Sequence, residues 1–302
     1  MKNQQHTFNT SFKLLSLFAL NGLCLAGCDG LSQKIDKLTG EQDKQVHALI
    51  ERTKAQMIFV EGGSFMMGDN GSAIGDGLPW TRFTDNKPAH KVTLTSYSMG
   101  AYEVSYADYD LYTAVNDLPK TMWEEWGEGE VWRAPEFPAG VSWYGAKNYC
   151  SWLSELTTLP FDLPTEAQWE FAARNRGENI LFATNTGILE LGVNYSLAVE
   201  PEPHPIGTYP PNPLGFYDLS GNMIEWVNDW WAEDYYQHSP EHNPTGPSEG
   251  TQKVMRGGMF LESPRGSNVY TRQESDELGE AYRAIGFRCA LNQPTPLTAQ
   301  PE

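Results

Sequence analysis

Apolar positions change their rhythm several times along the chain. Leu14 to Leu25 form an apolar run broken by Ser16, Asn21, Gly22 and Cys24, and Lys2 and Lys13 precede or open it with no acidic residue. The run is too short to span a bilayer, so residues 1–27 read as an export signal. Over 28–56 the chain turns charged, with Leu31, Ile35 and Leu38 and then Val46, Leu49 and Ile50 at helical spacing, interrupted by Gly40. This predicts a partly helical tether. From Met57 the rhythm is that of strands: Met57 to Val60, a turn at Gly62-Gly63, a return through Ser64 to Gly68, and an alternating segment from His90 to Tyr97.

Three helices announce their starts. Ser105 with Asp108 predicts a helix over Tyr106 to Val115, and Ser142 opens one whose Trp143, Ala146, Cys150 and Leu153 share a face. Thr165 with Gln168 forms a capping box for a helix from Glu166 to Arg174, ending near Gly177. Beyond it lie short segments dense in Gly, Pro, Asn and Trp. The expectation is one α+β domain over 57–291 with much irregular backbone, followed by a flexible tail at 292–302.

Charge narrows the partners. The 302 residues carry 39 Asp and Glu against 21 Lys and Arg, a net of −18. That balance argues against nucleic acid and against docking of the protein surface on anionic lipid. Oxygen-rich acidic loops suit hard cations such as calcium.

Cysteine usage points the same way as the leader. Leu25-Ala26-Gly27-Cys28 has the pattern of a bacterial lipobox, in which the cysteine is acylated, and Asp29 resembles a signal for retention on the inner membrane, facing the periplasm. Cys24 leaves with the signal, so a folded domain keeps Cys150 and Cys289, as a disulfide or as two buried thiols. A bridge would close a loop worth roughly 4–5 kcal/mol on the loop-entropy model.

Longer motifs carry a resemblance. Ile58-Phe59-Val60-Glu61-Gly62-Gly63-Ser64-Phe65-Met66-Met67-Gly68, Val141-Ser142-Trp143-Tyr144 and Leu163-Pro164-Thr165-Glu166-Ala167-Gln168-Trp169-Glu170-Phe171-Ala172-Ala173-Arg174 resemble the formylglycine-generating enzyme family, also called the sulfatase-modifying factor family. So do Pro211 to Asn222 with Met223-Ile224-Glu225-Trp226, Arg256-Gly257-Gly258, and Gly286-Phe287-Arg288-Cys289. The resemblance runs from about 57 to 291 and implies a loop-rich, C-type-lectin-like α+β fold. It implies a calcium site with carboxylates from Asp218 and Glu225 and carbonyls from Gly221 and Met223. A second site would begin at Asn194 and Tyr195, with Glu200 or Glu202 as a displaced acid. It also implies a Cys150–Cys289 disulfide.

The catalytic pair of that family has no counterpart. Members that oxidise a substrate cysteine use two thiolates just after the Arg-Gly-Gly turn to hold copper(I), a soft ion selected by sulfur. Glu262 and Ser267 stand near those positions here, and no cysteine occurs between Cys150 and Cys289. Copper and catalysis by that route are not expected. Another branch uses histidine-ligated iron, but Pro240 between His238 and His242 prevents a helix from presenting both to one ion, and His90 and His204 are isolated. Trp123, Glu124, Glu125, Trp126, Glu128, Glu130 and Trp132 form an acidic aromatic loop, read as a contact surface or as inward tryptophans under a charged rim. Arg256, Arg265, Arg272, Arg283 and Arg288 crowd the C-terminal part and are expected to pair with acids inside the fold.

The function expected is that of a non-catalytic envelope lipoprotein: a binding or scaffold module, in a narrower form an inhibitor or immunity partner. Its ligand would be a protein, a peptide or a glycan. The competing expectation is an enzyme, a formylglycine-generating-type oxidoreductase or another acting on protein or peptide in the periplasm, with Glu262, Ser267 and nearby arginines in support.

Overall fold

The computed structural model describes residues 39–74, 77–121, 131–196 and 202–297. Cys28, Asp29, Glu200 and the acidic aromatic loop up to Glu130 lie outside the described residues.

Helix α1 (Gly40–Ala55) has acids in its first turn and Arg52 and Lys54 in its last, matching the helix dipole. Its Val46 and Leu49 are buried. Arg52 pairs with Asp108 of helix α2 (Tyr106–Val115). The second half of the stretch read as a tether is therefore docked on the domain, and the compact unit begins at Gly40. The apolar spacing of Val46 and Leu49 was visible in sequence, whereas the face that receives them was not.

The remaining helices begin where their caps stand. Ser105 accepts from the Asp108 amide, Ser142 from Gly145 at 3.0 Å to open α3 (Trp143–Thr157), and Thr165 with Gln168 closes a capping box on α4 (Glu166–Ala173). Cys150 on the buried face of α3 is disulfide-bonded to Cys289, with Cα atoms 5.7 Å apart.

Among the described residues the strands form three small sheets. β1 (Met57–Val60), β4 (Tyr97–Gly100), β10 (Ala290–Leu291) and β5 (Phe161–Asp162) make an antiparallel sheet in that order. β2 (Gly63–Met67) pairs with β3 (His90–Leu94). In the third sheet the order is β8-β7-β6-β9: β6 (Ile224–Trp230) runs antiparallel to β7 (Lys253–Arg256) and parallel to β9 (Ile285–Gly286), and β8 (Arg272–Ser275) forms an edge. Trp169, Phe171, Phe216, Leu219, Val227, Val254 and Tyr270 pack between these elements, none more than 1% exposed.

Ion pairs run through this core. Arg272 grips Glu166 with Nε at 2.7 Å and Nη2 at 3.0 Å; Arg256 reaches Glu170 at 2.7 Å, and Arg174 reaches Glu170 at 2.8 Å. All five are buried. Arg256, Arg272 and Arg288 pair inside the fold as expected; Arg283 lies over the Trp132 ring at 4.7 Å, and Arg265 lines a surface groove.

Candidate functional site

The site is assembled from loops that the third sheet holds in place. After β7 the chain turns through Gly257 and Gly258, at φ of 103° and 71°. A Cβ on Gly258 would meet the Ser267 backbone nitrogen at 2.8 Å, so only glycine lets the start and end of this loop approach each other. Before β6, residues 218–222 turn tightly with Asp218, Gly221 and Asn222 in the left-handed region. Between these loops and the segments at 194–196 and 202–210 lies a pocket of about 350 Å³.

Glu262 and Ser267 belong to the first loop, and the structure gives each a separate partner. Ser267 is fully buried, its Oγ 2.9 Å from the Tyr195 hydroxyl. Glu262 faces the pocket and accepts from Gln273 Nε2 at 3.0 Å on both oxygens. Burial raises the Tyr195 hydroxyl above its ordinary pKa, although the Ser267 bond pulls it down. Among the described residues, the partners of these two side chains are Tyr195 and Gln273, and neither is the activating base that a nucleophile needs within hydrogen-bond reach.

The expected calcium residues divide. Glu225 is held by Arg288, whose Nε lies 2.9 and 3.0 Å from its two oxygens, and by Trp169 Nε1 at 2.9 Å. Asp218 lines the pocket and accepts from the Gly207 amide at 2.8 Å. Beside them is a carboxylate that the sequence reading missed: Glu103, 2% exposed, accepts from the Met223 amide and from Asn222 Nδ2. Burial first, then the charges of Asp218 and Glu225, pushes Glu103 well above the carboxylate range, and burial raises Asp218 to about 6. Among the described residues, the buried Glu103 and Glu225 and the half-buried Asp218 thus lie within the field of the Arg288 guanidinium. Among the described residues no group of three or more acidic, histidine or cysteine side chains forms a metal cluster alone. An ion here would need the turn's carbonyls, and the excess negative charge suits a hard cation.

At the expected second site, Asn194 spends its side chain inside its own loop, accepting from the Glu190 amide at 2.8 Å and donating to Asn185 at 2.9 Å. Tyr195 is committed to Ser267. Glu202 lines the pocket rim, exposed.

Among the described residues the histidines belong to no metal-binding cluster. His238 packs against the Tyr235 ring, His242 bridges to Thr93, and His90 packs edge-on to Tyr236. His204 stands in the pocket wall against Tyr209, its ring held below the ordinary pKa by burial and its Nε2 without a partner. Asn222 fixes its backbone, accepting from the His204 amide at 2.9 Å. Trp132 rests 5.8 Å from Phe260, so this end of the acidic loop abuts the pocket.

Comparison with known proteins agrees with this architecture. The chain is 29% identical over 254 residues to a protein named serine/threonine-protein kinase pkn1 from Chlamydia pneumoniae, matching 78% of this chain but only 38% of that one. It is 27% identical over 295 residues to the formylglycine-generating enzyme of Mus musculus, covering 78% and 75% of the two chains. The structure of PvdO from Pseudomonas aeruginosa superposes with a TM-score of 0.66 at 26% identity, over 78% of this chain and 93% of PvdO. The model of the sulfatase-modifying factor enzyme 1-like domain matches residues 43–293, and the chain belongs to that family.

Proposed function

We propose that this chain is a ligand-binding member of its family that does not oxidise protein cysteines, anchored in the bacterial envelope through lipid at Cys28. The observation that carries the reading is the fate of the two positions after the Arg-Gly-Gly turn. Glu262 and Ser267 are hard donors, unsuited to copper(I), and each is already engaged, with Gln273 and with Tyr195. What the loop keeps is a formed pocket of about 350 Å³, within the size of small-ligand sites. Its wall combines Phe260, Tyr209 and Pro210 with Glu262, Asp218 and His204, a mixture that recognises a polar ligand with an apolar face.

Calcium enters as structural support. Asp218 and the carbonyls of Gly221 and Met223 would hold it, with Glu225 shared with Arg288, and the ion would offset the excess negative charge around Glu103. It supplies charge neutralisation to the turn and takes no part in a reaction.

The test is direct. The chain is supplied with copper, oxygen and a cysteine-bearing sulfatase peptide, and the peptide is followed by mass spectrometry. Unchanged cysteine is expected; conversion to the aldehyde would end this reading and restore the enzyme. Loss of acyl labelling in Cys28→Ala tests the anchor, and fractionation tests the inner-membrane placement implied by Asp29.

A further inference from the structure

Glu262, Glu202 and Asp218 line the pocket of about 350 Å³, and the described residues of its wall include no Lys or Arg. The His204 imidazole in that wall is held below the ordinary histidine pKa by burial, so it is uncharged at pH 7. An anion entering the pocket would meet like charge and no cation on the described wall. Asp218 is bonded to the Gly207 amide and belongs to the turn before β6, so the charge left for a ligand is that of Glu262, with Glu202 at the exposed rim.

Glu262 decides between the remaining ligands. It is half-buried, and its partner is the neutral amide of Gln273. A neutral occupant filling the cavity would strip water from this carboxylate and return no charge, which is costly for an ionised group. A cation returns it. Phe260 and Tyr209, half-buried in the same wall, add aromatic surface of the kind that attracts a positive group, and Leu261 and Pro210 add apolar surface for a stem.

Gln273 narrows which cation fits. Its Nε2 stands 3.0 Å from each Glu262 oxygen, astride the edge of the carboxylate where a guanidinium would place its two parallel N–H bonds. That edge is filled from the neighbouring groove, which Gln273 lines while taking no part in the pocket wall. The outer lone pairs of the carboxylate remain, and a compact ammonium needs only one of them.

We propose that the pocket binds a primary ammonium carried on an apolar stem, with Glu262 as its counter-ion and Phe260 and Tyr209 beside the stem. This assignment rests on the reading of the same pocket as a ligand site and names the chemistry of the ligand. The ammonium reaches the pocket on a free alkylamine or on a lysine side chain.

The full chain is titrated with n-hexylamine, n-hexylguanidine, 1-hexanol and hexanoate by calorimetry and ligand-observed NMR. The titrations run at pH 7 in about 0.15 M salt, which screens attraction to the acidic surface. The amine is expected to bind at least tenfold more tightly than the other three. Glu262→Gln, which keeps the shape and removes the charge, should weaken the amine about tenfold, and Phe260→Leu about threefold. Gln273→Leu, which frees the carboxylate edge, should instead bring the guanidine to within about threefold of the amine. All three variants must melt like the parent, and Glu274→Gln, exposed on β8 outside the pocket, should bind the amine like the parent. Comparing n-hexylamine with Nα-acetyl-lysine amide tells a free amine from a peptide lysine, the tighter of the two identifying the source. No amine binding, binding indifferent to Glu262→Gln, or a guanidine tighter than the amine in the parent would each overturn the proposal. The alcohol or the acid equalling the amine would overturn it too, yet leave the pocket a ligand site. Conversion of the sulfatase peptide would end the proposed function whatever binds here, so the two fail separately.

Discussion

The hydroxyls of Ser267 and Tyr195 lie 2.9 Å apart, both buried, at the end of the loop that follows the Arg-Gly-Gly turn. Such a bond uses the serine as a strut between the 258–267 loop and the pocket's opposite wall. Tyr195→Phe should therefore cost about 1–2 kcal/mol in urea denaturation, since it leaves the serine hydroxyl buried without its partner. Ser267→Ala should cost about the same, and the double variant less than the sum of the two. Additive losses would mean that the two hydroxyls are not bonded.

Arg256 spans Glu166 and Glu170, tying α4 to the third sheet, with all three side chains no more than 1% exposed. Buried pairs of this kind add little net stability, but removing one partner strands the other charge. Arg256→Met is expected to lose about 3–5 kcal/mol by that argument. Arg256→Met with Glu170→Gln should recover part of it. A loss under 1 kcal/mol for the single variant would show that solvent reaches the cluster.

The charge excess around Glu103, Asp218 and Glu225 makes a prediction about calcium. Millimolar calcium should raise the melting temperature at pH 7, because an ion that binds only the native turn shifts the folding equilibrium. Asp218→Ala should abolish the shift, and magnesium should reproduce it poorly because it demands tighter geometry. If both proteins melt identically with and without calcium, Arg288 alone balances the site and the ion leaves the account.

How much of this was legible beforehand follows from the range of the interactions. The helix starts at Ser105, Ser142 and Thr165 were readable because a cap and its target are three residues apart. The cysteine pair was legible by count, and its bond is present. Sheet order was not: β10 lies between β4 and β5, joining residues near 290, 99 and 162. Glu103 gave no local sign of its role, since its burial comes from Asn222 and Met223, more than a hundred residues away. Glu225 was expected as a calcium-binding carboxylate, and its pairing with Arg288 gave no local sign because it depends on the parallel strand β9 delivering the arginine.

Asp229, in β6, supplies the last test. It is 2% exposed, and burial, reinforced by the Glu166 charge, raises its pKa from 3.8 to about 8, while the Glu166 amide donates to it at 2.9 Å. The folded state therefore prefers the protonated carboxyl. Its contribution to stability is fully present below the unfolded value near 4 and is lost as pH rises through about 8. Asp229→Asn keeps an acceptor for the amide and removes the titration. The variant should match the parent near pH 4 and exceed it at pH 8, each kcal/mol recovered appearing as roughly 2–4 °C in melting temperature. Denaturation at pH 4, 6 and 8 checks this, and a parent stability that does not fall relative to the variant across that range would show that Asp229 ionises freely in the fold.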